Sequence, residues 1–508
     1  MKTNKVFSLR SLCDLCASAV KILSLATLAT LASAGSFKDS YKLENIKLPE
    51  GIPPEVGGLA FDPEGELYVC LRRSDVFRAT PTSNPDEFDW KLFASGFHNG
   101  CGIVAPEPGK IVVSQMAELT SAQDTDGDGL ADSYRNLADG WGLSGNYHET
   151  NDVCSDGKGG YFLAIGTASY NGPTFEHTKG EYSKIGRRGR NFSSVKYRGW
   201  IMHLDKDGTL TPWASGFRMH NGITTDPDGE TWCSDNQGDW KAITPFYHIE
   251  KGNFYGHPSS LVWDKDWPAD KDPLLTYRND LDAYNKHRTK AAVLIPHGFC
   301  RSGAKPIIIP RDGSFGEYFA GQFILPDNNG TRLCRIMIEK VDGVYQGMAT
   351  YLLEGGGLRS GNNRPVFSPD GKQLYIGQTV RGWGKPAEGL QRLSFSGGTP
   401  FDLATINITK DGFRLNFTKT IPELKADDIQ ISSATYQPRW TYGSGPDGKR
   451  DHKVTSIKTD GKQSATISLE DFEPERLYEI KLPSLKDSDG NEIHNRTFYY
   501  TVHKIPGA

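Results

Sequence analysis

Four histidines stand directly before short apolar runs in this sequence, in equivalent positions of similar segments. They are His98, His148, His220 and His297. A neutral imidazole accepts a proton near neutral pH or binds a transition metal. A converging set of them therefore predicts acid–base chemistry or a transition-metal site.

Charged and amide side chains occupy the same kind of position, just before or just after apolar runs. These residues are Arg72, Arg218, Asp235, Asn236, Gln237, Arg364 and Arg381. Arginine binds carboxylate and sulfate groups with two parallel hydrogen bonds, so these positions predict substrate or cofactor contacts.

A basic stretch lies between Thr178 and Trp200. Its seven basic residues face one acid, Glu181, and are Lys179, Lys184, Arg187, Arg188, Arg190, Lys196 and Arg198. Such a stretch is either a solvated loop or a contact for an anionic ligand. The anionic ligand would be a carboxylated or sulfated sugar, or a cofactor that carries carboxylates.

Alternating aspartates predict a calcium loop at residues 124–132. Asp124, Asp126, Asp128 and Asp132 alternate with small residues, and Gly129 stands at the sharp turn. A hard cation prefers several oxygen ligands of this kind. The twelfth position holds Arg135 where an EF-hand has Glu, so we expect a calcium site that is not a full EF-hand.

The elements that must position these residues are β-hairpins. One pattern, an apolar run, a turn that contains Gly and a second apolar run, occurs six times, and the fifth copy is more divergent. The copies lie at residues 57–69, 101–113, 145–166, 221–233, 298–328 and 363–376. Six repeats with further strand-like segments between them predict a six-bladed β-propeller. In that fold the polar residues at the strand ends meet on one face around the axis, and the aspartate loop lies on the opposite face.

Two further segments flank the predicted propeller, which we expect to span residues 35–398. Residues 1–34 have basic residues, an apolar run and the Ala32-Ser33-Ala34 pattern of a cleaved signal peptide. We therefore expect an exported protein, secreted or periplasmic, with no membrane span. Residues 399–508 show alternating runs that predict an immunoglobulin-like β-sandwich. The net charge of −4 argues against general nucleic-acid binding.

The hairpin pattern and its histidine resemble those of the soluble quinoprotein glucose and sorbosone dehydrogenases, especially exported bacterial sorbosone-dehydrogenase-like proteins. The matching stretches are His148 with residues 155–166, then residues 216–222, 236–238 and 251–256. The resemblance covers about residues 57–393. It implies a six-bladed propeller, the cofactor pyrroloquinoline quinone (PQQ) and calcium. It also implies that His148 is the general base and that Arg218 faces the quinone or the substrate.

This chain departs from that family where the family has a Gly-Pro pair whose carbonyls bind the cofactor calcium, because it has Gly238-Asp239. Three functions therefore stay open. The first is oxidation of a sugar or oligosaccharide by a PQQ-type dehydrogenase, with a possible redox partner. The second is elimination from an acidic sugar by a lyase or dehydratase, in which His148 or His220 removes a carbon-bound proton beside a neutralised carboxylate. The third is glycan binding without catalysis.

Overall fold

The computed structural model describes residues 36–142, 151–169, 191–193, 195–379 and 388–507, and their regular secondary structure is mainly β-strand. The first described elements are the short helix α1 (Phe37–Ser40) and strand β1 (Tyr41–Ile46). In the described part of the chain, no helix is long and apolar enough to cross a membrane. The predicted signal peptide lies outside the described residues.

Five four-stranded antiparallel sheets, and four consecutive strands of an eight-stranded sheet, form the six blades of the predicted β-propeller. Blade 1 consists of β2 (Val56–Phe61), β3 (Leu67–Leu71), β4 (Val76–Ala79) and β5 (Lys91–Ala94). Blade 2 consists of β6 (Gly102–Glu107), β7 (Lys110–Ser114), β8 (Leu119–Gln123) and β9 (Ser133–Ala138). Blade 3 consists of β10 (Asn151–Ser155), β11 (Tyr161–Ile165), β14 (Trp200–Leu204) and β15 (Leu210–Ser215), and a separate pair, β12 (Ala168–Ser169) and β13 (Asn191–Phe192), lies between β11 and β14 in the sequence.

The other three blades follow the same plan. Blade 4 consists of β16 (Ile223–Thr225), β17 (Thr231–Ser234), β18 (Thr244–Ile249) and β19 (Val293–Ile295). Blade 5 consists of β20 (Ile307–Ile308), β21 (Phe323–Asp327), β22 (Arg332–Val341) and β23 (Val344–Glu354). Blade 6 consists of β24 (Asn362–Phe367), β25 (Gln373–Gln378), β26 (Gly389–Phe395) and β1. The innermost strands β24, β2, β6, β10 and β16 are neighbours in that order.

The inner hairpins close with the predicted turn chemistry. At Asp62, Asp156 and Asp226, a carboxylate oxygen accepts hydrogen bonds from the backbone N–H groups two and four residues later. This arrangement fixes the turn and leaves the two strands antiparallel. It explains why the hairpins were recognisable from the sequence.

Strand β1 completes blade 6 from the other end of the propeller sequence. It pairs antiparallel with β26, from Tyr41 opposite Phe395 to Ile46 opposite Leu390. The first described strand is thus the outermost strand of the last blade. The repeat pattern did not predict this pairing, because β1 has no hairpin partner nearby in the sequence.

The C-terminal strands form two antiparallel sheets. One has the order β27–β28–β32–β31, with β27 (Leu403–Thr409), β28 (Gly412–Phe417), β31 (Val454–Thr459) and β32 (Ser464–Leu469). The other has the order β34–β33–β29–β30, with β29 (Gln430–Thr435), β30 (Asp447–His452), β33 (Arg476–Lys481) and β34 (Thr497–Val502). Because β34 also pairs with β23, blade 5 and this second sheet form one continuous sheet of eight strands.

Both C-terminal sheets contribute to one apolar core, to which blade 5 also contributes. Phe413, Tyr478 and Tyr500 are fully buried there, together with Met337 and Met348 of blade 5. The C-terminal unit therefore packs directly against the propeller. Its boundary at residue 399 remains a proposal.

The described helices lie mainly between β18 and β19. Helices α2 (Pro273–Asn279) and α3 (Leu281–His287) begin after Asp272 and Asp280, whose side chains accept hydrogen bonds from backbone N–H groups of the first turns. Short 3₁₀ turns occur at Pro258–Trp263, Glu317–Phe319 and Ala426–Asp428. The helical insertion packs beside Trp240 of blade 4 through Leu274, Tyr277 and Tyr284.

Candidate functional site

The candidate site lies on the upper face, which we define as the face where each innermost strand begins and each second strand ends. Inner strands from neighbouring blades bring their first residues together around the axis. The sequence predicted that polar residues would meet at this face. Among the predicted polar residues that the structure describes, some are buried and the others contact solvent.

A buried cluster closes the upper end of the axis. The carboxylate of Asp152, at the start of β10, lies 3.0 Å from Lys305 Nζ and 3.5 Å from Arg364 Nε. Arg364 also donates to the carbonyls of Cys101 and Asn221, at 2.5 and 2.9 Å. One side chain of blade 6 thus binds the strand ends of blades 2, 3 and 4, so Arg364 joins the blades at the axis.

Glycine at the strand starts makes this close approach possible. A Cβ atom on Gly222 would lie 2.2 Å from the Cα of Lys305, and one on Gly102 would lie 2.5 Å from a carboxylate oxygen of Asp152. Any larger residue would push these groups away from the axis. The glycines at the start of β6 and directly before β16 therefore have a packing cause.

Arg218 lies in a second buried cluster, beside blade 4. Its Nε is 2.8 Å from a carboxylate oxygen of Asp239, and the other oxygen of Asp239 is 3.2 Å from His257 Nε2. Burial raises the pKa of the Asp239 carboxyl, but the Arg218 charge and the His257 hydrogen bond outweigh this effect and hold the pKa well below its usual range. Arg218 is therefore paired inside the protein and does not meet the expectation that it faces a ligand.

Asp235 also has a structural environment. It is fully buried, and its carboxylate accepts hydrogen bonds from the backbone N–H groups of Arg218, Met219 and Asn236, each at 2.8 Å. Lys241 Nζ lies 3.1 Å from the same carboxylate. This network fixes the loop that carries Arg218, so Asp235 positions the site and does not contact a ligand.

His220 is fully buried, in contrast to the expectation that it could act as a base on the substrate. Its Nε2 lies 3.2 Å from the carbonyl oxygen of Trp200, and its ring stacks on Phe217. Burial lowers the pKa of His220 to about 4. The imidazole is thus neutral at physiological pH and out of reach of a substrate.

Five predicted residues remain in contact with solvent on the upper face. His98 is exposed, and Arg72, Asn236, Gln237 and His297 are half-buried. Burial, followed by the nearby Arg301 charge, lowers the pKa of His297. Its Nδ1 and the Oδ1 of Asn236 have no hydrogen-bond partner in the part of the chain that the structure describes. Both atoms are themselves buried, although each side chain is partly exposed.

Several predicted residues lie outside the described residues. They are His148, Arg187, Arg188, Arg190 and Arg381. Of the basic stretch, the structure describes Lys196, which is exposed, and Arg198, which is fully buried and donates to the carbonyl of Gly142 at 2.8 Å. Arg198 is therefore structural. The residues at 143–150 and 170–190 stay sequence predictions.

A segment of the C-terminal unit reaches the upper face. The ring of Tyr442 lies 5.3 Å from the Arg218 guanidinium, and this tyrosine is 53% exposed. Backbone hydrogen bonds join Trp240 N–H to the Arg439 carbonyl and Gly443 N–H to the Gly238 carbonyl, at 2.6 and 2.9 Å. Tyr442 is thus held beside the candidate site, although no sequence pattern predicted that residues after 399 would lie there.

The predicted calcium loop connects β8 and β9 on the face opposite the upper face. Carboxylate oxygens of Asp124, Asp126 and Asp128 lie within 4.8 Å of one another. Asp132 instead accepts hydrogen bonds from the backbone and hydroxyl of Thr125. Three of the four predicted ligands therefore converge, and the fourth, Asp132, stabilises the loop through its hydrogen bonds with Thr125.

The described histidines do not support the transition-metal expectation. Across the described ranges, the aspartate loop is the one place where three or more His, Cys, Asp or Glu side chains come close enough to share an ion. His98, His220 and His297 do not converge. His148 stays untested, because it lies outside those ranges.

Sequence analysis missed Lys305, Asp152 and the Asn221–Asn363 pair of the axial cluster. Asn221 Nδ2 donates to Asn363 Oδ1 at 2.7 Å, and Arg364 donates to the same oxygen at 2.8 Å. The available signal was an Asn or Asp at the start of three inner hairpins. It carried no information on which residues would meet across the axis.

Several solved structures are similar to this chain. The Trichoderma reesei protein of Carbohydrate-Active Enzymes Family AA12, in its calcium structure, is 12% identical; the match covers 70% of this chain and 96% of that chain, with a TM-score of 0.50. The PQQ domain of pyranose dehydrogenase from Coprinopsis cinerea is 16% identical, over 70% and 97%, with a TM-score of 0.49. The PQQ-bound aldose sugar dehydrogenase from Streptomyces coelicolor is 14% identical, over 70% and 98%, with a TM-score of 0.46.

The likeness to the first of these shows the fold alone. The family described as "Domain of unknown function (DUF7133)" matches residues 85–339, half of the 508-residue chain. The chain belongs to this family. No curated protein matches the sequence.

The described residues do not fit a quinone with its calcium in the way the resemblance implied. The carbonyl of Gly238, which would be a calcium ligand, accepts hydrogen bonds from the N–H groups of Lys241 and Gly443, at 3.1 and 2.9 Å. Asp239 replaces the expected proline and neutralises Arg218. A Cβ on Gly238 would lie 2.1 Å from Arg218 Nε, so this glycine makes room for the arginine. We derive no step through PQQ.

Proposed function

We propose that this protein is a carbohydrate-active enzyme of the sugar-dehydrogenase type, whose substrate binds on the upper face. The observation that carries the proposal is the set of polar side chains that stay open to solvent at strand ends from different blades. Arg72 and His98 belong to blade 1 and its connection to blade 2, Asn236 and Gln237 to blade 4, and His297 to the connection that follows. Convergent polar groups at one mouth of a propeller favour a small-molecule site.

In this proposal, His148 takes the proton of the substrate hydroxyl while the adjacent carbon gives its hydride to an acceptor. The role rests on the sequence resemblance. His297 and His98 are the described alternatives, because their rings are accessible and the ring of His220 is not. The acceptor would be a redox cofactor or a partner protein.

Acceptor-dependent turnover tests the proposal. Purified protein is supplied with neutral and acidic sugars and an artificial electron acceptor, with and without added PQQ and calcium. We expect reduction of the acceptor, and we expect His148→Ala to lower turnover by about 10²-fold, the usual scale for a lost general base. The variant's melting temperature serves as the control for folding. Sugar turnover by His148→Ala at the wild-type rate would contradict the role of His148.

A second candidate is elimination from an acidic sugar. Two observations favour it: the Gly238 carbonyl is already occupied, and the axial cluster has two cations for one carboxylate. A cation beside a uronate carboxylate would make the adjacent carbon-bound proton acidic enough for an imidazole to remove. An unsaturated product formed without any acceptor would establish this reaction and exclude the first.

The basic stretch gives a test of substrate class. Replacing Arg187, Arg188 and Arg190 with Gln should raise KM for carboxylated or sulfated oligosaccharides and change kcat less, because these charges would act through binding. The effect should weaken as salt shortens the Debye length to about 8 Å. A neutral oligosaccharide of the same length is the matched control. Equal loss on both substrates would mean that the loop does not select for charge.

We also propose roles for the remaining parts. The strand order of the C-terminal sheets, β27–β28–β32–β31 against β30–β29–β33–β34, supports an immunoglobulin-like sandwich. Export after removal of residues 1–34 and calcium binding by the aspartate loop remain proposals from the sequence. Specific glycan binding without product in either assay would favour the non-catalytic function.

A further inference from the structure

The axial cluster holds more positive than negative charge. Lys305 Nζ lies 3.0 Å and Arg364 Nε 3.5 Å from oxygens of the single carboxylate of Asp152. The nearest other buried carboxylates have their own cations, since Asp235 pairs with Lys241 and Asp239 with Arg218. One positive charge is therefore left without a carboxylate partner in the described part of the axis.

One donor of this cluster is also unused. Arg364 is 1% exposed, and its Nη2 has no hydrogen-bond partner in the described structure. Its Nε and Nη1, in contrast, bind the carbonyls of Cys101 and Asn221. A buried guanidinium N–H without an acceptor is unfavourable, and an anion would satisfy both the hydrogen bond and the charge.

Lys305 is the partly exposed member of the cluster. Its side chain is 16% exposed, while the side chains of Asp152 and Arg364 are buried. A small anionic group could therefore contact Lys305 from above, but a bulky ligand could not enter as a whole. Burial of the cluster strengthens any such contact relative to one on the open surface.

We propose that the upper end of the axis is a binding site for one small anionic group of the carboxylate or halide type, held by the excess positive charge of Arg364 and Lys305. The group is either the carboxylate of an acidic sugar or a free anion such as chloride. The first source deepens the proposed function, since it makes a uronate the substrate class. The second source would make a free anion a permanently bound component of the folded protein.

Thermal unfolding with defined probes tests the site. Sodium galacturonate, sodium acetate, sodium chloride and neutral galactose are each titrated at low ionic strength. A ligand that binds only the folded state should raise Tm in a saturable way, by about 3 °C for a chain of this size at 100 times Kd. We expect galacturonate to raise Tm and galactose to leave it unchanged. An equal rise with galactose, or no rise with any anion, would overturn the proposal.

Matched variants connect the effect to the axis. Lys305→Met removes the excess charge and should abolish the anion response, Lys305→Arg should keep it, and Lys449→Met, which removes an exposed lysine of the C-terminal unit, should not change it. An unaltered response in Lys305→Met would overturn the site. If acetate and chloride act as well as galacturonate, the ligand is a free anion; if only galacturonate acts, it is the sugar carboxylate.

A second measurement does not depend on the variants folding. Crystals of the wild-type protein soaked in sodium bromide or in sodium galacturonate should show an anion in contact with Arg364 Nη2 or Lys305 Nζ, as an anomalous peak or as carboxylate density, and the absence of both would contradict the proposal. These binding results are separable from the enzyme proposal. Anion binding without turnover keeps the axial site and removes the catalytic function, and turnover without anion binding does the reverse.

Discussion

At the scale of single residues, the buried pair of Arg218 and Asp239 determines what the upper face can bind. Asp239 takes up the arginine that the resemblance assigned to a ligand. We predict that Asp239→Asn lowers the free energy of unfolding by about 3–5 kcal/mol, because it leaves Arg218 buried without its carboxylate. Denaturant unfolding measures this, and a loss below about 1 kcal/mol would show that the pair is not coupled. Asp228→Asn, which breaks the exposed pair with Arg311, is the matched control and should cost little.

His220 should make stability depend on pH. Its pKa falls from 6.5 in the unfolded chain to about 4 in the folded protein because of burial. Below pH 6.5 the unfolded state therefore binds a proton at His220 that the folded state does not bind. The free energy of unfolding thus decreases as pH falls from 6.5 to 4. The loss is on the order of 3 kcal/mol. Unfolding at several pH values should show a shallower dependence in His220→Gln, whereas His98→Gln, at an exposed histidine, should follow the wild type.

The sequence pattern predicted that these residues lie at strand ends, but it did not predict how deeply each side chain is buried. His98 and His220 both precede Asn-Gly, yet His98 is exposed and His220 is fully buried. The difference arises from neighbours distant in the sequence, since Phe217 and the Trp200 carbonyl enclose the ring of His220. Periodicity along one strand cannot report such contacts. It reported the hairpins well, because their turns depend on residues two and four positions apart.

At the scale of elements, the aspartate loop between β8 and β9 should depend on calcium. Ion binding to the folded state would add about 3 kcal/mol at a free calcium of 100 times Kd. A chelator should therefore lower Tm of the wild type, and Asp126→Ala combined with Asp128→Ala should remove this response. Asp132→Asn should destabilise the loop yet keep the response, because Asp132 binds Thr125. A chelator effect that persists in the double variant would exclude this loop.

The segment that carries Tyr442 should contribute to substrate binding. One face of the ring lies near Arg218, and the residue is 53% exposed on the upper face. If a sugar ring packs on it, Tyr442→Ala should raise KM by about 2- to 10-fold, the range of a single aromatic contact, with little change in kcat. Tyr442→Phe keeps the ring and should behave as the wild type. Unchanged KM in both variants would mean that the tyrosine only covers Arg218.

At the scale of the whole molecule, the C-terminal unit is part of the structure that supports the site. Removal of residues 399–508 would expose the β23 edge and the buried side chains of Met337 and Met348. An uncovered strand edge beside an apolar patch promotes aggregation. We predict that the truncated protein aggregates or loses Tm, which light scattering and thermal unfolding would detect. A monomeric propeller with wild-type Tm would instead make the unit a spacer.

Strand β1 has a consequence for how the molecule is made. A ribosome releases this strand first, whereas its partner β26 follows only after five blades have been synthesised. The ring therefore cannot close until β26 has been synthesised, and a product that stops before β26 leaves β1 unpaired and the ring open. Closure of the ring requires that every blade is present, and proteases would degrade most readily the chains whose ring stays open.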